Sequence, residues 1–90
     1  MQANAAFQAT NVAARIPVPA GTKSLFLQNN GPNPCYLGAT ATDANATAGL
    51  ILAAGGGELA IDVLSHDVYV VCPVANQVSP ADIRWWANGY

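Results

Sequence analysis

The chain is poor in charge. Lys, Arg, Asp and Glu make up 9% of its 90 residues, against about 25% in ordinary soluble domains. Three basic residues, Arg15, Lys23 and Arg84, are too few and too scattered to neutralise a run of phosphates, so nucleic acid is not an expected partner. Long apolar runs are also missing. "GLILAAGGG" and "VYVVCPVA" fall well short of the roughly 20 residues that cross a bilayer, so no membrane span is expected. The opening "MQANAAFQATNVAAR" has no positive flank ahead of an unbroken apolar stretch and reads as mature protein rather than as a secretion signal.

Histidine occurs once and cysteine twice. Cys35 and Cys72 have neither a CxxC spacing nor further Cys or His positions to complete a zinc site, so no metal or cofactor is expected. Each lies in an apolar, strand-like segment, which reads as two buried thiols, with a Cys35–Cys72 disulfide as the alternative. Ser65, His66 and Asp67 hold the residue types of a hydrolase triad, but adjacent positions cannot place nucleophile, base and orienter in sequence. His66 fits a polar turn better. Gly55 to Gly57 lack the Lys-Ser or Lys-Thr of a phosphate loop, and Glu58 would repel phosphate. Asp43, Glu58, Asp62, Asp67 and Asp82 form no calcium-loop pattern and no tight acid pair. No catalytic residue is assigned, and the expectation is a protein that is not an enzyme. Asn45-Ala46-Thr47 matches a glycosylation acceptor, a pattern short enough to arise by chance.

What the chain does have is apolar content of 52%, although 18 of those residues are Ala, which gain little from burial. No window carries an i, i+3, i+4, i+7 stripe, whereas several short runs alternate or are β-branched and end at Gly, Pro, Asn or Asp. This pattern predicts strands near Phe7–Ile16, Ser24–Asn29, Pro34–Ala39, Gly49–Ala53, Glu58–Val63, Val68–Cys72 and Ile83–Trp86. The expected fold is all-β, a small antiparallel β-sandwich or jelly-roll-like barrel of about seven short strands. Residues 1–14 are expected to be an N-terminal arm or first strand, and residues 15–90 a single β-sandwich domain. Alternation should send Leu25 and Leu27, then Leu59, Ile61 and Val63, then Val68, Val70 and Cys72 into the core. Trp85 should share a face with Ile83, leaving Arg84 and Trp86 on the other. "TATDANATA" at residues 40–48 reads as an exposed excursion, and "AAGGGE" as a tight return that uses positive φ.

The order of motifs carries a resemblance. "KSLFLQNNGPNPCYLG", a small polar loop, "GLILAAGGGELAID", "DVYVVC" and "ADIRWW" follow one another from about Arg15 to Trp86. This succession resembles small all-β virion proteins of tailed bacteriophages, of the capsid decoration, cement or head-fibre type. The tandem tryptophans and Cys72 depart from that pattern. The resemblance implies a non-enzymatic structural protein on the virion, most simply one that binds the outer head surface as a homo-oligomer, typically a trimer. Its partner would be the major capsid protein or another virion protein. A receptor- or glycan-binding module of a tail or head fibre is the alternative, for which the aromatics Tyr36, Tyr69, Trp85, Trp86 and Tyr90 offer stacking surfaces. Candidate interface residues are Phe7, Asn29, Asn30, Asn33, Tyr36, Trp86 and Tyr90.

Overall fold

The computed structural model describes residues 2–62, 67–75, 78 and 80–89. Among these there is no helix; the chain forms β1 (Gln2–Ala9), β2 (Ala14–Arg15), β3 (Ser24–Asn29), β4 (Cys35–Gly38), β5 (Leu50–Leu52), β6 (Gly57–Asp62), β7 (Tyr69–Val71) and β8 (Ala81–Asn88). Period-two patterning explains the clearest of them. In β3, Leu25, Leu27 and Asn29 point inward while Phe26 is exposed. In β8, Ala81, Ile83, Trp85 and Ala87 are buried, and Arg84 and Trp86 are exposed on the opposite face.

The strands form two antiparallel sheets of four, with orders β1-β8-β3-β6 and β2-β7-β4-β5. The pairing follows one rule. The chain doubles back between β4 and β5, so the first strand pairs with the last, the second with the seventh, the third with the sixth and the fourth with the fifth. Contacts of β8 with β3 and of β7 with β4 then complete each sheet. Both sheets send side chains into one cluster that includes Leu25, Leu27, Ile83 and Trp85 from the first, and Cys35, Leu37, Leu52 and Val70 from the second. Each fully buried aliphatic there contributes about 1.5–3 kcal/mol relative to exposure.

The predicted strand Phe7–Ile16 is in fact two, which makes eight strands among the described residues where about seven were expected. The break is local: the Val12 amide donates to Thr10 Oγ1 at 3.3 Å, a side-chain turn that competes with the ladder. Over this bend the chain leaves one sheet and enters the other. Residues 2–9, within the segment expected as an arm or first strand, pair with β8 along their whole length. Leu59 and Ile61 are half-buried against the core, Val68, Val70 and Cys72 are fully buried members of it, and Val63 lies outside the described residues. The glycine turn behaves as expected, with φ of 70° at Gly55 and 96° at Gly56.

The 40–48 excursion is exposed but internally tied. Asn45 Nδ2 donates to Thr42 O at 2.7 Å, and Asn45 Oδ1 accepts from the amides of Thr47 and Ala48, each at 2.8 Å. Ala44 is buried against β4, so close to Gly38 that a Cβ there would lie 2.5 Å from the Ala44 nitrogen.

Candidate interaction surface

The outer face of the β1-β8-β3-β6 sheet is set by strand parity. Because Leu25, Leu27, Ile83 and Trp85 face the core, Phe26 and Trp86 must face outward, and the register places them directly opposite one another. Asn4 flanks Trp86 on β1, and Ala60 flanks Phe26 on β6, completing one row across the four strands. The next row is Ala6, Arg84, Gln28 and Glu58. Trp86 is 44% and Phe26 41% exposed.

Polar contacts fix the edges of this face and leave its rings bare. Trp86 Nε1 donates to Asn88 Oδ1 at 3.1 Å, which satisfies the indole N–H at its edge. Arg84 Nη2 donates to Asp82 Oδ2 at 3.2 Å, an exposed pair that orients the guanidinium but contributes little stability. A shallow depression of about 370 Å³ lies over Asn4, Ala6, Phe26, Gln28, Arg84 and Trp86. Chemically, this is an aromatic platform rimmed by two amides and one guanidinium, suited to stacking and hydrogen bonding.

A larger cleft of about 510 Å³ opens between the sheets at β4, β5 and β6, where Leu37, Leu50, Ile61 and Val68 line it together with Asp43 and Asp62. Beside it, Leu50 and Ile51 on β5 are 56% and 63% exposed.

The sequence-derived interface residues are not gathered in one place. Trp86 is on the outer face of the first sheet, whereas Tyr36, half-buried on β4, faces outward from the second, opposite Ile51 and Val71. Phe7 is partly buried against the core. Asn30 is exposed, its amide donating to Asp82 O at 2.9 Å, and Asn33 is half-buried. Tyr90 lies outside the described residues.

Asn29 must be removed from the interface set, because its side chain is fully buried. Its Nδ2 donates to Asn33 O at 2.8 Å and to Leu52 O at 3.2 Å, and its Oδ1 accepts from the Gly31 amide at 2.9 Å. Its backbone carbonyl also accepts from the Gly56 amide at 2.7 Å. Asn29 thus joins the "NNGPNP" corner to β5 and to the glycine turn. Parity gave the signal, since Asn29 continues the inward series of Leu25 and Leu27. The same parity marks Phe26 as an outward aromatic, one absent from the interface residues expected from sequence. Asn4, Gln28 and Arg84 gain their place only from strand register.

Cys35 and Cys72 are free thiols at 0% exposure. Each sulfur has its own partner: Cys72 Sγ donates to Pro34 O at 3.4 Å, and Cys35 Sγ accepts from Asn29 Nδ2 at 3.6 Å. Burial first, and the neighbouring Cys72 second, push the Cys35 thiol up to about 12, which makes it unreactive at neutral pH.

Of the triad residue types, Ser65 and His66 lie outside the described residues, and Asp67 stands 3.9 Å from Arg15. Among the described residues no group of three His, Cys, Asp or Glu side chains is placed to hold a metal ion. Comparisons with protein-family models, curated proteins and solved structures give no match to this chain.

Proposed function

We propose that this chain is a jelly-roll structural protein of a tailed-bacteriophage virion, one that binds the outer head surface as a homo-oligomer and stabilises the shell. The observation that carries the proposal is the strand order, β1-β8-β3-β6 over β2-β7-β4-β5. That order is what an eight-stranded hairpin yields when it is rolled into two facing layers, the plan used by viral capsid and lectin domains. The shared core cluster supports two facing layers.

Fold alone does not assign function; the surface and the motif order add to it. Large apolar side chains stand exposed at Val12, Phe26, Leu50, Ile51, Val74, Val78 and Trp86, on a chain with only eight charged residues. A free monomer gains nothing from that surface, whereas a protein immobilised against a shell buries it. The succession from "KSLFLQNNGPNPCYLG" to "ADIRWW" resembles phage virion proteins and supplies the setting. Particles that lack this protein should release DNA earlier than intact particles when heated or placed in low salt; equal resistance would exclude a cementing role.

The Trp86–Phe26 row favours a second reading, a glycan-binding module of a tail or head fibre, since exposed rings rimmed by Asn4, Gln28 and Arg84 can stack on a sugar and bond its hydroxyls. A glycan array on which Trp86→Ala abolishes a wild-type signal would support it. No signal above background, together with attachment to heads, would exclude it.

A further inference from the structure

The two sheets have four edge strands: β1 and β6 in the first, β2 and β5 in the second. Natural sheets protect such edges, because a row of unpaired N–H and C=O groups invites another strand. Three of the four edges are protected in recognisable ways. β2 has two residues and β5 three, too short to recruit a partner. β6 carries Glu58 and Asp62, two of the chain's five acidic residues.

β1 has no such protection. Its eight residues, "QANAAFQA", contain no charge and no proline, and they run in unbroken register with β8. Asn4, Ala5, Ala6 and Gln8 are exposed. Which backbone groups are free follows from the ladder. The Asn30 amide donates to Asp82 O, so the backbone groups of Asp82 face β3. By alternation those of Ala81, Ile83, Trp85 and Ala87 face β1 and meet Ala9, Phe7, Ala5 and Ala3. The free edge of β1 therefore presents the N–H and C=O groups of Gln2, Asn4, Ala6 and Gln8.

We infer that β1 is a homodimerisation edge, pairing antiparallel with β1 of a second copy about a two-fold axis at Ala5. The occupant is a second copy because a head-to-tail ring needs two unguarded edges, and among the described strands the chain offers one. A trimer, as the resemblance implies, would have to be built on other contacts. With Ala5 opposite Ala5 of the second copy, Asn4 meets Ala6 and Gln2 meets Gln8, so every outward backbone group of residues 2–8 finds a partner. That register also keeps the two outer faces on the same side, joining both Trp86–Phe26 rows into one eight-stranded surface. Small residues at the centre, Ala5 and Ala6, allow the close approach that the ladder requires.

The pairing refines the homo-oligomer part of the proposed function and is tested apart from it. Light scattering coupled to size exclusion on the full chain should give twice the 9.2 kDa monomer mass. Ala6→Pro removes an outward N–H without touching the β1–β8 ladder and should weaken association by about tenfold or more. Ala60→Pro, the matched change on β6, should leave the dimer intact. If Ala6→Pro fails to fold, Ala5→Cys serves instead. Two cysteines facing each other across a non-hydrogen-bonded pair should form an intersubunit disulfide with added glutathione disulfide, which takes up the two electrons. Ala60→Cys should not. A wild-type mass of one monomer at all accessible concentrations, or Ala5→Cys crosslinking no faster than Ala60→Cys, overturns the pairing. Attachment of the wild-type chain to heads, read separately, reports on the capsid reading alone.

Discussion

Replacing Asn29 by alanine would leave the Asn33 and Leu52 carbonyls and the Gly31 amide short of a partner inside the protein. Unpaired buried groups of this kind are expensive, and the expected loss is about 2–4 kcal/mol, read as a lower urea midpoint at unchanged slope. Asn29→Asp should cost more, because it replaces the donor with a buried charge facing two carbonyls. Cys35 makes a different prediction. Its folded thiol titrates near 12 against the ordinary 9.0, because of burial and then Cys72. Its contribution is fully present below the unfolded value and is lost as pH climbs toward 12. Between these limits stability should fall by roughly 1 kcal/mol per pH unit from this one proton. Cys35→Ala should show a flatter alkaline branch than wild type in denaturant titrations; parallel branches would contradict the assignment.

At the scale of elements, local alternation and turn chemistry carried much of the reading. β3 was legible to the residue, because "SLFLQN" alternates cleanly and is bounded by Lys23 and the "NGPNP" corner. The split of the first strand was not, because a hydroxyl turn at Thr10 costs no visible break in hydrophobicity. Nor was the packing of the 40–48 loop, which depends on Gly38 leaving room for Ala44, a contact invisible without the fold. Gly38→Ala would force a methyl against backbone and should destabilise by about 1–3 kcal/mol in chemical denaturation. A change within experimental error would mean that the loop does not pack as described. Asn29 was expected at an interface, as a polar residue beside the corner, but its place in the alternation after Leu25 and Leu27 carries its side chain into the core.

For the whole molecule, the interaction surface depends on pairing that no local pattern encodes. Phe26 and Trp86 are 60 positions apart in the chain and become neighbours only because β3 pairs with β8. The double variant Phe26→Ala/Trp86→Ala should keep the fold while losing about 1–3 kcal/mol, since the two rings are cross-strand partners, each a little over half covered. Its binding to heads should fall by at least about tenfold, the scale of one lost anchor. Unchanged binding would move the contact to another face, with the exposed Leu50 and Ile51 as the next surface to alter. Attachment to the outer head is tested by an image reconstruction of the intact virion. Attachment there predicts density for this all-β chain in symmetric copies on the outer capsid surface, with the Trp86–Phe26 face against the shell. Density confined to the tail, or none in the particle at all, would contradict it.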